Sequence, residues 1–346
     1  MLALLNESAY AAGLYCGHTT DRRFQHTLVV KASYRFTLKG AVALLDTQPE
    51  IVAADRHHGD PASSSLAQAS EIAPFKQGAE FYLFGTAHAP TATQISMQVS
   101  AALHTAQHRC HKQLLVMGEH EWEKGLLGSR RGHARPLGSL PLLYEYAYGG
   151  GHAASEQQDE RNPAGRGFNP PWKGLSDARA PRIEYPDQLA LNPGKCVPPA
   201  GFGPLPVFWQ PRRERFGTPD TDPLNGSGCG WGPDASPNLH NTAPDDQQWP
   251  TLLQGGEILT LEGFFSDCPK PVVITLPTLA PDIYLLESGQ PGSHPQRLTA
   301  MVDTLVIDTD ARQLSLIARA GIVRSPLAST AHIYLPAPDK SKEAQG

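Results

Sequence analysis

Little in this sequence suits metal binding, membrane crossing or cysteine pairing. Its five cysteines (Cys16, Cys110, Cys196, Cys229 and Cys268) are spread over 346 residues with no C-x-x-C pair. That spacing offers neither a disulfide framework nor a cysteine zinc site, and it suits a reduced, cytoplasmic protein. No apolar run approaches the ~20 residues that a membrane span needs. The start, MLALLNESAYAAGLYCG, has no basic region ahead of its short apolar stretch and does not read as a secretory signal. Charge of one sign is missing too: 29 basic and 34 acidic residues leave −5, spread along the chain. No basic patch is dense enough for nucleic acid or anionic lipid. The expectation is a chain with no nucleic-acid and no membrane partner.

Catalytic signatures are equally scarce. G-x-S-x-G, H-E-x-x-H, G-x-G-x-x-G and G-x-x-x-x-G-K-[ST] do not occur. The glycine-rich GSGCGWG (226–232) lacks the lysine and following helix of a phosphate cradle. DRHHGD places Asp55, His57, His58 and Asp60 together, but no further ligand stands at a recognised spacing, so a solvated loop is expected. His104, His108 and His111 would share a face only on a helix, and the surrounding pattern is that of strands. No metal and no cofactor are expected.

What the chain does have is period-two alternation. In HTLVVKASYRFTL (26–38), Leu28, Val30, Ala32, Tyr34 and Phe36 fall on one face, and Gly40 then breaks the run before AVALL. Residues 79–89, 94–103 and 111–118 read as further strands, with Ile95, Met97 and Val99 facing one way. Late in the chain, 257–265, 271–277 and 282–288 repeat the pattern. DTLVIDTDARQLSLIAR (303–319) then forms a hairpin with Leu305, Ile307, Leu314 and Leu316 on its buried face. Short, evenly spaced strands predict a mainly β fold, a sandwich or barrel of antiparallel sheets. A single β-rich domain over 1–325 is expected, with framework strands in 20–146 and 256–320, and a flexible tail over 326–346.

Between the two halves, 147–255 reads as irregular coil. Residues 162–250 hold 17 of the 32 prolines and four of the five tryptophans. Phe168, Trp172, Phe202, Phe208, Trp209, Phe216, Trp231 and Trp249 give it enough apolar surface to be ordered over the sheets.

Within that region PLLYEYAYGG (141–150), NPAGRG (162–167), PPAGFGP (198–204), WQPRR (209–213) and NTAPDDQ (241–247) follow one another in order. Together with KASYRF, VMGEHEW and VDTLVID they resemble the bacterial domain-of-unknown-function family 2169, encoded beside type VI secretion genes. The resemblance implies a non-catalytic cytoplasmic adaptor or chaperone. Such a protein stabilises a secreted toxin effector and helps load it onto the VgrG spike. It carries no catalytic residues.

The partner-binding candidates are Tyr144, Glu145, Tyr148, Arg166, Phe202, Trp209, Arg213, Asp246 and Gln247. Tyrosine, tryptophan and arginine bury large area at an interface while keeping a polar handle. The same side chains can instead tie coil to sheet through buried hydrogen bonds. Two other functional classes are an exported structural component of the secretion machine and a carbohydrate-active hydrolase. The hydrolase would use Glu145 with Asp246 or Asp220; the competing role for such a carboxylate is a charge pair with Arg166 or Arg213.

Overall fold

A computed structural model of the chain describes residues 2–19, 21–125, 128–153, 155–170, 175, 178–218, 231–287, 294–323 and 330–338. The alternation at 26–38 becomes the strand Phe24–Phe36, and Leu28, Val30, Ala32, Tyr34 and Phe36 all enter the main apolar core. The chain then turns back so that Val42–Leu44 pairs with the end of that strand. Phe24–Phe36 lies near one edge of a seven-stranded sheet, between Ala11–His18 and Gln313–Ile322. Met301–Asp308, Ala79–Phe84 and Gln248–Trp249 follow in order. The late hairpin has the expected face: Leu305, Ile307, Leu314 and Leu316 are all buried.

A five-stranded sheet is built around the hairpin Ser96–His104 and Arg109–Met117, flanked by Ile183–Glu184 and by Ile258–Glu262 with Val272–Thr275. Met97, Val99 and Leu103 face the interior, while Ile95, one residue before the strand, is exposed. His104 ends one strand, the Thr105–His108 turn follows, and His111 lies on the next strand. The apolar faces of both sheets share one core, closed by Phe36 against Phe265 and Phe202 against Phe264.

Three expectations are corrected. Residues 331–335 are not part of a flexible tail: Ala331–Leu335 is a strand with Ala331, Ile333 and Leu335 buried. The alternation in AHIYL suffices to hold it to the core, whereas 339–346 lie outside the described residues. Strands also precede residue 20, at Leu2–Asn6 and Ala11–His18. Finally, some pairings are parallel, among them Leu2–Asn6 with Ala331–Leu335 and Ala79–Phe84 with Met301–Asp308. These two join early chain to late chain, and the intervening length lets such strands run the same way.

Among the described residues no helix is long and apolar enough to cross a membrane. In the described part of 147–255 regular structure is limited to two-residue bridges, short turns and the four-residue helix Gln210–Arg213.

Candidate functional site

The first two motifs of the middle region are folded against each other. Tyr144–Tyr146 makes one 3-10 turn, and Tyr148–Gly149 then runs parallel to Arg166–Gly167. Asn162, fully buried, donates from Nδ2 to the Tyr144 carbonyl at 2.9 Å and the Tyr148 carbonyl at 3.0 Å. Glycine is needed where the two segments touch. Gly149 has φ 147°, and a Cβ there would lie 2.2 Å from the Asn162 carbonyl oxygen. The glycines of AYGG and the asparagine of NPAGRG thus form one junction.

Arg166 lies inside this junction. Its Nε donates to the Glu145 carbonyl at 3.0 Å, and Nη1 donates to Glu119 at 3.1 Å. Arg182 reaches the other oxygen of Glu119 at 3.1 Å. Both guanidinium groups lie over the Tyr146 ring, 4.7 and 5.4 Å from its centroid. Burial lowers the Arg166 pKa, with Glu119 opposing it. The Glu145 carboxylate faces elsewhere, accepting the Ser65 N–H at 2.8 Å and its hydroxyl at 2.7 Å. The charge pair weighed between Glu145 and Arg166 is therefore a backbone contact. Arg213 pairs with Glu160 instead.

A second cluster begins at Tyr144, whose ring meets Trp209 edge-on at 5.4 Å and whose hydroxyl donates to the Gly203 carbonyl at 3.2 Å. Gln247 spans from coil to sheet, its amide donating to the Phe81 and Phe202 carbonyls, each at 2.9 Å. Lys112 donates to Gln247 at 2.7 Å and to Asp246 at 2.9 Å, and the Tyr185 hydroxyl donates to Asp246 at 2.9 Å. Burial lowers the Lys112 pKa and Asp246 counters it. Asp246 is the exposed end of this chain of contacts. Glu145 and Asp246 are thus held by separate sets of donors.

Burial divides the nine candidates. Tyr144, Tyr148, Arg166, Phe202, Trp209 and Gln247 are interior; Glu145, Arg213 and Asp246 reach solvent. Phe202 (0% exposed) and Trp209 (1%) offer no surface to a partner, which corrects their expected role as interface anchors. A segment with few ladder hydrogen bonds is held by burying large side chains, and these two are among the largest fully buried ones. The surface falls one residue earlier. Val207 is 43% exposed and Phe208 39%, with the Phe208 ring stacked on His57 at 5.8 Å. Arg213 donates to the Phe208 carbonyl at 3.4 Å. In PVFWQ adjacent aromatic residues compete for one interior position, and nothing local decides between them.

The residues of DRHHGD hold turns. Asp55 accepts the Ser70 N–H at 2.7 Å and pairs with Arg212 at 3.5 Å. His57 Nδ1 meets the Ser64 carbonyl at 2.9 Å. Among the described residues no three histidine, cysteine or acidic side chains gather as a metal site would need. Asp220 and Trp172 lie outside the described residues.

One family model matches, "Uncharacterized protein conserved in bacteria (DUF2169)", over residues 21–319. The chain belongs to this family. Its matched region covers the five-stranded sheet, the seven-stranded sheet except Ala11–His18 and the end of Gln313–Ile322, and the junction built by Tyr144, Asn162 and Arg166. Neither a curated protein nor a solved structure matches.

Proposed function

We propose that this DUF2169 member is a non-catalytic adaptor that acts in the cytoplasm. It binds a type VI secretion effector, stabilises its folded state, and presents it for loading onto the VgrG spike. The genomic setting implied by the family resemblance supplies the partner class. The observation that carries the reading on this chain is the exposed pair Val207 and Phe208, fixed in place by the buried Trp209 next to them. An aromatic held in advance on a proline-bounded loop loses little entropy on binding, which suits an interface. Arg213 and Glu160 give this patch a charged rim.

Co-expression with the effector encoded nearby tests the reading. The effector's soluble yield should rise through mass action on its folded form, and the two should co-elute on size exclusion. Phe208→Ala should weaken the complex by ~1–3 kcal/mol, as truncation of aromatic anchors does. Glu145→Gln separates the adaptor from a hydrolase. The adaptor keeps its client in that variant, whereas a glycan-hydrolysing activity that disappears with the carboxylate would replace the reading.

A further inference from the structure

A cavity of about 330 Å³ opens on the outer face of the seven-stranded sheet, away from the main core. Its volume is at the lower end for sites that take small ligands or single side chains. Lys31, Tyr82, Phe84, Asp308 and Gln313 come from the sheet, and Glu71 from the segment that covers it. Tyr82 is only 3% exposed as a whole residue, but it lines the cavity and its hydroxyl makes no hydrogen bond among the described residues. A hydroxyl facing a cavity keeps a donor and an acceptor for a bound group.

The charges around the cavity favour a cation. Lys31 and Glu71 cancel, paired at 2.7 Å with both side chains buried. Asp308 accepts the Ala311 N–H at 2.8 Å and has no cationic partner among the described residues. Burial raises its carboxyl pKa, and the nearby charge of Asp310 adds to that rise. An arriving positive charge would relieve both effects. The rings of Tyr82 and Phe84 meet edge-on at 5.8 Å on the same sheet face, which gives a cation aromatic surface as well as a carboxylate.

We propose that this cavity receives an arginine side chain from the bound protein, its guanidinium shared by Asp308, the Tyr82 hydroxyl and the aromatic wall. Arginine fits better than lysine because its planar, weakly hydrated head both stacks and donates several hydrogen bonds at once. The position fits a continuous contact surface. His58 lines the cavity, and the preceding His57 stacks on the exposed Phe208. In this respect the inference rests on the adaptor reading.

The first test needs no partner. N-acetyl-arginine amide and its neutral isostere N-acetyl-citrulline amide are titrated against the full chain and followed by saturation-transfer NMR. The arginine probe should bind and the citrulline probe should be weaker by about tenfold, the margin of a charge-assisted bond. Asp308→Asn should remove that preference. Tyr82→Phe keeps the packing and should weaken the arginine probe severalfold. Equal binding of the two probes, or an unchanged preference in Asp308→Asn, would overturn the proposal. The second test uses the effector complex. Its dissociation constant should rise about tenfold in Asp308→Asn, and an unchanged constant would overturn the assignment to the partner's side chain. If the wild-type chain forms no effector complex, the adaptor reading fails, and the two-probe comparison still decides whether the cavity takes a guanidinium.

Discussion

The seven-stranded sheet has two buried faces made from the same strands, and they are built on different chemistry. The inner face carries Leu28, Phe36, Phe81, Leu305 and Leu316 into an apolar core shared with the other sheets. The outer face carries buried charge: Glu80 with Lys76, Arg319 with Asp303, and Lys31 with Glu71. Thr304 hydroxyl joins two of these pairs, accepting from Lys76 and donating to Asp303. The pairing register shifts between Val302 and Thr304, so Asp303 sits in a bulge from which its carboxylate meets Arg319. An apolar face stabilises in proportion to area wherever its partners lie. A charged face does so only when each ion finds its partner and its remaining donors, so it demands a particular cover.

That contrast can be tested by substitution. The largest effect belongs to the outer face. Glu80→Ala leaves Lys76 buried without its carboxylate and frees the Thr242 and Ala243 N–H groups, each donating at 2.8 Å. A loss of about 3–5 kcal/mol in urea unfolding is expected, as for a broken buried pair. Replacing both partners, Lys76→Met with Glu80→Leu, should recover the part due to the stranded ammonium, while the Thr242 and Ala243 N–H groups stay unpaired. A double variant as unstable as the single one would show that the pair is not the unit. On the inner face Leu305→Ala should cost about 2–5 kcal/mol, with no partner substitution able to restore it.

The intermediate effects concern the coil and pH. Asn162→Ala strands the Tyr144 and Tyr148 carbonyls and should destabilise by about 1–3 kcal/mol. Near the outer face His240 lies between the rings of Phe75 and Trp231, at 4.8 and 5.3 Å. Burial lowers its pKa to about 3 from the ordinary 6.5. The unfolded chain therefore takes up a proton that the folded chain refuses between those values. Stability should be complete above about pH 6.5 and fall by up to ~1.4 kcal/mol per unit on acidification towards 3. His240→Gln should flatten that stretch of the curve, and an unaltered slope would assign the acid sensitivity to other groups. The smallest change is Tyr82→Phe. Its hydroxyl has no partner to lose, so the melting temperature should stay within the shift caused by about 0.5 kcal/mol.

The inner face was readable in the sequence because alternation specifies it position by position. The hairpins at 24–44, 96–117 and 301–322 follow directly from that pattern. The outer face was not readable. Lys31, Ser33, Glu80, Ser315 and Arg319 look like the solvent side of strands, yet all but Ser315 are buried and Ser315 is only partly exposed. The candidate site divides the same way. The motifs around Tyr144 and Arg166 are visible as tyrosine, glycine and arginine in order. Their hydrogen bonds join carbonyls and side chains that lie far apart in the chain, such as Glu145 with Ser65 and Gln247 with Phe81.

The sequence by itself therefore determined the strand class, the inner face of each long strand and the residues of the coil junction, because those depend on near neighbours. Only the tertiary structure decided that Ala79–Phe84 runs parallel to Met301–Asp308, and that Trp209 is inside while Phe208 is outside. It also decided which segments cover the charged face. Strand direction, the choice between adjacent aromatic residues and the pairing of buried ions each depend on a partner hundreds of residues or a whole layer away. A local pattern carries no term for such a partner.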